Sequence, residues 1–191
     1  VKMGVGEQTQ TVWLVDWENP QNNDFSVAEE VSIPGSQYDK RPDVVLYLNG
    51  IAVAVLELKR SSVSVSEGIR QNIANQQREF CETFFTTVQL LFAGNDSEGL
   101  RYGVIETPEK YYLKWKEDGA PDNLGDLDAD LCCMCEKSRL LEILHDFMVF
   151  DNGAKKTCRP NQYFGIKAAQ ARLKQRQSDI IWHTQGSGKS L

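Results

Sequence analysis

The stretch Arg41-Pro-Asp-Val-Val-Leu-Tyr-Leu-Asn-Gly-Ile-Ala-Val-Ala-Val-Leu-Glu-Leu-Lys59 decides the fold. Two apolar runs, Val44 to Leu48 and Ile51 to Leu58, flank Asn49-Gly50. That dipeptide is favoured in a two-residue type I′ turn, where both positions take positive φ. The stretch therefore predicts a β-hairpin. Its arms are almost continuously apolar, so both faces should be covered, inside a sheet packed by helices or other layers.

Charged residues close this apolar hairpin at one end: Asp43 on the first arm, Glu57 and Lys59 on the second. Glu57 and Lys59, two apart on a strand, point to the same face. Hydrolysis of a phosphodiester needs a nucleophilic water and a cation against the charge that builds on the phosphate oxygens. Carboxylates are the hard ligands that hold Mg²⁺. Asp43 and Glu57 would supply them, with the backbone carbonyl of Leu58 as a further ligand. Lys59 would orient the water or help to deprotonate it.

Hairpin register complicates this reading. A two-residue turn sets Leu48 opposite Ile51 and Asp43 opposite Leu56, one position short of Glu57. Strict alternation then turns the two carboxylates to opposite faces. A bend or bulge around Pro42-Asp43 is therefore expected, since Pro42 already interrupts regular pairing. The plainer alternative leaves Asp43 at a loop end and Glu57 and Lys59 at a solvated strand end. Charges at the end of a buried strand are costly unless paired or metal-bound, which favours the metal site.

Outward from the hairpin, Thr11–Trp17 and Phe25–Ile33 are rich in β-formers and separated by Pro20, Asn22, Asn23 and Asp24, which predicts two strands and a turn. Ser64-Val-Ser-Glu67 has capping-box spacing, and helical intervals through Ile69, Ile73, Gln76 and Phe80 predict a helix to about Phe84. Val88–Ala93 and Arg101–Glu106 read as strands. Residues 109 to 130 are polar and turn-rich, with Asp126 and Asp128 in a solvated turn; one helix is expected from Leu131 to Phe147. Asp151-Asn152-Gly153 reads as a linker, Asn161–Lys174 as a helix and Asp179–Trp182 as a short strand. The fold class is α/β. Domain boundaries follow at 1–150 for a first domain and 151–191 for a linker and the start of a second.

Composition narrows the class. Of 191 residues, 41% are hydrophobic and 25% charged, as in ordinary soluble domains, and no apolar run reaches the roughly 18 residues of a membrane helix. The first ten residues lack a secretory pattern and an initiator methionine, so the chain is expected to start inside a larger protein. Five unevenly spaced cysteines fit free thiols in a reducing cytoplasm. The CxxC of Cys132 to Cys135 has no second cluster to complete a zinc site. A net charge of −6 argues against strong autonomous affinity for DNA, because Lys and Arg supply most phosphate neutralisation.

The quoted stretch resembles the nuclease core of the R (motor) subunit of type I restriction enzymes, members of the PD-(D/E)xK nucleases. The resemblance extends through Phe92-Ala-Gly-Asn95 and Leu140-Leu-Glu-Ile-Leu-His-Asp-Phe147 into Arg159-Pro-Asn-Gln-Tyr-Phe-Gly165 and His183-Thr-Gln-Gly-Ser-Gly-Lys-Ser190. It implies a restriction-endonuclease-like core, a mixed central sheet flanked by helices. It implies Mg²⁺-dependent cleavage of unmethylated foreign double-stranded DNA, coupled in the full subunit to ATP-driven translocation. Separate specificity and methyltransferase subunits would be partners. Family members carry a Gln-x-x-x-Tyr motif on the helix after the core; here Gln71-Asn-Ile-Ala-Asn75 occupies that place, with Asn75 where the family has Tyr. Gln71 is thus a site candidate, although an exposed polar residue on an amphipathic helix explains it nearly as well. The family's earlier helix, with its acidic residue, is expected to precede this chain.

Gly186-Ser187-Gly188-Lys189-Ser190 has the pattern of a phosphate-cradling loop, in which backbone N–H groups surround phosphate oxygens, Lys189 reaches the terminal phosphates and Ser190 binds Mg²⁺. The full pattern has Gly where this chain has His183, a variation that helicase-like motors tolerate. Gln162 matches the glutamine that recognises adenine in such motors, or is simply a polar residue near a helix start. The remaining motor motifs would lie beyond Leu191, so the fragment alone is expected to cut weakly or not at all. Two rival readings stand beside the nuclease: a non-catalytic docking scaffold for a motor, and a recombination-type helicase-nuclease.

Overall fold

The computed structural model describes residues 2–5, 8–35, 37–77, 80, 82–117, 124–178, 180–182 and 185. Strands β1 (Lys2–Val5) and β2 (Gln8–Thr11) form a separate antiparallel pair. The central sheet has the order β3 (Phe25–Glu29), β4 (Val44–Leu48), β5 (Ile51–Leu58), β6 (Leu90–Asn95) and β7 (Gly99–Gly103). All neighbours are antiparallel except β5 and β6. A parallel pair needs a crossover, and α1 (Val65–Asn75) with the short α2 (Glu82–Phe85) provides it. The chain then adds α3 (Asp126–Cys135), α4 (Lys137–Asp146), the hairpin β8 (Met148–Asp151) and β9 (Ala154–Thr157), and α5 (Pro160–Lys174). The architecture is the mixed α/β one expected of a restriction-endonuclease-like core.

The central hairpin forms as expected. Asn49 and Gly50 have φ of 50° and 78°, the pair of positive values that a type I′ turn requires. Leu48 pairs with Ile51 and Tyr47 with Ala52, but Leu46 then pairs with Ala54, leaving Val53 as an extra residue. From there Val44 lies opposite Leu56, so continued register sets Asp43 opposite Glu57. The expected bulge exists, but in the middle of β5 rather than around Pro42-Asp43. Packing shows why it is tolerated there. Val53 joins Leu48 and Leu141 of α4, and Ala54 joins the neighbouring cluster on that same side, while Ala52 and Val55 pack on the opposite face with Phe85 and Leu91. Two successive side chains thus turn to one face, the signature of a bulged strand.

Both faces of the sheet are covered. On one, Leu56, Leu90, Phe92 and Tyr102 pack against Leu127, Met134, Leu140 and Ile143 of α3 and α4. Each fully buried side chain of this size contributes about 1.5–3 kcal/mol. Cys158, Tyr163 and Phe164 join this cluster, and the Tyr102 hydroxyl donates to the carbonyl of Cys158 at 2.8 Å. On the other face α1 lies close over β5 and β6. A Cβ on Gly68 would come within 3.2 Å of the Ala93 Cβ and 3.3 Å of the Glu57 carbonyl oxygen.

Several expectations change. Residues 12–17 are not a strand, because side chains claim their backbone: the Asp16 amide donates to Asn23 Oδ1 at 2.9 Å, and Asn49 Nδ2 to the Leu14 carbonyl at 2.8 Å. The following strand stops at Glu29, before Glu30 with φ of 51°. The helix expected to reach Phe84 ends at Asn75. The strands expected at 88–93 and 101–106 are shifted to Leu90–Asn95 and Gly99–Gly103.

The single helix expected from Leu131 to Phe147 is two. Glu136 breaks it, its carboxylate accepting the amides of Ser138 and Arg139 as the cap of α4. α3 begins early enough that Asp126 and Asp128 occupy its first turn, where the helix dipole favours anions, and not a solvated loop. Asp151-Asn152-Gly153 is no linker but part of the β8–β9 hairpin, with φ of 49° at Asn152 and 84° at Gly153. α5 matches the expected helix with Pro160 added at its start. Residues 180–182 are not in a strand, and the loop 186–190 lies outside the described residues.

Candidate active site

The hairpin brings its two carboxylates together at one end of the sheet. Asp43 precedes β4, and its carbonyl accepts the Glu30 amide at 2.9 Å. Its side chain turns across the sheet, so that Asp43 Oδ2 accepts the backbone amide of Leu58 at 2.7 Å. Glu57 points under α1 and is wholly shielded from solvent. Asn75, in the last turn of α1, donates from Nδ2 to Glu57 Oε1 at 3.3 Å, while Glu57 Oε2 has no hydrogen-bond partner.

Lys59 completes the group. Its Nζ donates to Gln71 Oε1 at 2.7 Å and stands 4.0 Å from Glu57 Oε2. Gln71 and Asn75, four apart on α1, therefore sit over Lys59 and Glu57 respectively, as neighbours on one helix face. The helix is fixed at both ends. Glu98 Oε1 accepts the Val65 amide at 2.9 Å where α1 starts, and Asn72 Nδ2 donates to the Phe92 carbonyl at 2.8 Å farther along.

Electrostatics set Glu57 apart. Burial, then the nearby Asp43 carboxylate, push its acid form up from 4.5 to about 8, against the opposing pull of Lys59 and Lys40. Loss of hydration disfavours a charged carboxylate, and a like charge beside it adds to the penalty. A divalent cation would reverse both effects, because it supplies opposite charge and takes up the unpartnered oxygen. A donor set of two carboxylates fits a hard cation such as Mg²⁺.

Of the residues singled out in the sequence, Asp43, Glu57, Leu58, Lys59 and Gln71 converge. Gln162 does not belong to this group. It lies on α5, which packs on the opposite face of the sheet through Tyr163, and its Oε1 accepts the Arg159 amide at 2.8 Å, closing the first helical turn. Gly186, Ser187, Gly188, Lys189 and Ser190 lie outside the described residues. Sequence reading gave no role to the contact of Asn75 with Glu57. Its spacing from Gln71, one helical turn, was the available signal. It also missed Lys40, whose charge reaches Glu57 from the loop before β4.

Comparison with known proteins places this geometry in context. Residues 1–110 match the family described as type I restriction enzyme R protein N terminus. Residues 161–191 match the SWI2/SNF2 ATPase family. The chain is 28% identical to the type I restriction enzyme HindI endonuclease subunit of Haemophilus influenzae, over 97% of this chain and 20% of that protein. It is likewise 28% identical to the MjaVIIIP protein of Methanocaldococcus jannaschii, over 97% of this chain and 19% of that one. A Staphylococcus aureus relative, the type I restriction enzyme SauCOLORF180P endonuclease subunit, is 24% identical over 93% of this chain and 19% of its own length. The chain spans about a fifth of the length of the curated relatives it matches.

Proposed function

The chain belongs to the type I restriction enzyme R protein N terminus family, and from that premise we propose that it is the DNA-cutting module of a type I restriction endonuclease subunit. One observation carries the reading. Glu57 is fully buried beside Asp43 and keeps an oxygen without a hydrogen-bond partner. Burying an ionised carboxylate is costly, and without a cation a retained proton answers that cost. A buried acid kept beside a second carboxylate at a strand end favours a bound cation that would take the proton's place. Asp43, Glu57 and the carbonyl of Leu58 would hold Mg²⁺, which when bound stabilises charge on the phosphate and makes a ligated water more acidic.

The chain's own residues do the positioning. The Leu58 amide keeps Asp43 turned toward Glu57. Gln71 holds the ammonium of Lys59 near the Glu57 carboxylate, where it can orient the attacking water and offset developing charge.

Unmethylated foreign double-stranded DNA is the substrate in this reading. A net charge of −6 leaves the grip on phosphates to the rest of the subunit and to specificity and methyltransferase partners. The ATPase match over residues 161–191 supports an attached motor that uses ATP with Mg²⁺ to pull DNA, with Gln162 and residues 186–190 at its nucleotide site. The complex works in the cytoplasm. Among the described residues no helix is long and apolar enough to cross a membrane.

The decisive test is Asp43→Ala in the complete complex. Plasmid cleavage should be abolished while ATP hydrolysis continues; retained cleavage overturns the assignment.

A further inference from the structure

Asn75 is 2% exposed, yet its Oδ1 has no partner; its Nδ2 meets Glu57 Oε1. A leucine of similar size would fill the same space without a stranded acceptor, and a buried acceptor left unsatisfied is a cost to folding. An amide kept at that cost should be answering a nearby charge. The only ionisable side chain to which Asn75 is hydrogen-bonded among the described residues is Glu57.

The two carboxylates are treated alike. Asp43 lends Oδ2 to the Leu58 amide, and Glu57 lends Oε1 to Asn75. Each is thereby tethered by one oxygen. Glu57 Oε2 is the oxygen left without a donor. Little slack exists in the tether, because Gly68 sets α1 nearly in contact with Ala93 and Glu57, and Asn72 ties the same helix to Phe92.

We infer that Asn75 is a positioning residue, which holds the Glu57 carboxylate by one oxygen so that the other is presented to a divalent cation. The inference rests on the metal-dependent reading of Asp43 and Glu57. Groups that orient a metal ligand commonly govern metal affinity by roughly ten- to a hundredfold when they are removed. Asn75 acts through Glu57 alone, and the deletion of its donor should be felt as weaker metal binding more than as a lower maximal rate.

The test uses the full-length subunit without ATP and measures Mn²⁺ binding by electron paramagnetic resonance, with thermal melting alongside. Asp43→Ala identifies the site by removing it. Asn75→Leu should weaken that same site by roughly tenfold or more while the melting temperature holds or rises, and cleavage in the complex should recover at high Mn²⁺. Parental Mn²⁺ affinity in Asn75→Leu overturns the inference, as does a loss that appears only together with a fall in melting temperature. If the leucine is poorly accommodated, Asn75→Ala removes the donor without added bulk and is judged by the same two readouts. Should Asp43→Ala leave every Mn²⁺ site intact, the metal-site reading itself fails, and this inference with it. Loss of the site in Asp43→Ala with parental binding in both Asn75 variants rejects the inference alone.

Discussion

The backbone amide of Leu58 donates to Asp43 Oδ2 at 2.7 Å, so the residue between Glu57 and Lys59 is what anchors the carboxylate on the neighbouring strand. The bond joins the two halves of the motif through main chain. It fixes Asp43 without spending either of the other two side chains.

Asp43→Asn keeps an oxygen to accept the Leu58 amide and removes the negative charge beside Glu57. The fold should survive, and the metal-free melting temperature should stay level or rise. Cleavage should fall by about a hundredfold or more, since a lost metal ligand removes several kcal/mol of transition-state stabilisation and each 1.36 kcal/mol is tenfold. Plasmid nicking rates and thermal melts of the same preparation check both halves.

Glu57 makes stability depend on pH. Its folded value, about 8, lies above the ordinary 4.5, so the folded state holds the proton more tightly than the unfolded one. The associated stability is complete below about 4.5 and drains away as pH rises through about 8. Chelator-treated protein should therefore melt several degrees lower at the alkaline end of this window. Saturating Mg²⁺ should shrink the loss, and Glu57→Gln should flatten it. A metal-free melting temperature that climbs across the window would contradict the sign.

Gly68→Ala tests the closeness of α1 to the sheet. Alanine is the better helix former by about 1 kcal/mol, but its Cβ would crowd Ala93 and the Glu57 backbone at 3.2 and 3.3 Å. Neither neighbour is a flexible side-chain end, so α1 must shift outward, at about 1–3 kcal/mol for overpacking. Because Gln71 and Asn75 move with it, cleavage should fall more than stability does, by about a hundredfold. Denaturant titration and cleavage rates separate the two.

Tyr102→Phe removes the donor to the buried Cys158 carbonyl. The expected cost is about 1–3 kcal/mol for the stranded acceptor. Amides early in α5 should exchange faster with solvent, while the Mg²⁺ requirement of cleavage stays as it was, since this contact lies on the face away from Glu57.

The hairpin and its charged ends were legible because every cue is local: a turn dipeptide, two apolar runs and three charged residues at one end. The same dipeptide at Asn152-Gly153 was read as a linker, because its flanking strand Ala154-Lys-Lys-Thr157 carries no apolar run to announce it. The break at Glu136 sits inside a helical pattern and is made by a side-chain cap, which periodicity does not register. Residues 12–17 have strand composition but give their backbone to Asn23 and Asn49, partners that only the folded chain brings near. The bulge was inferred from the need to bring Asp43 beside Glu57, yet no Gly or Pro marks Val53, and packing alone selects the position. Asn75 showed its spacing but not its contact.

Thirteen residues separate Asp43 from Glu57, and that odd interval has an arithmetic meaning. Partners across a hairpin closed by two residues are always separated by an even number, so an odd one obliges the chain to leave a residue out of the ladder. Val53 is that residue. Parity of the spacing thus becomes a rule for reading related hairpins. An even interval with the same turn needs no bulge, and an odd one must hide a surplus residue somewhere between the acids. A single insertion or deletion is harmless to the pairing of Asp43 with Glu57 only where it creates or erases such a surplus.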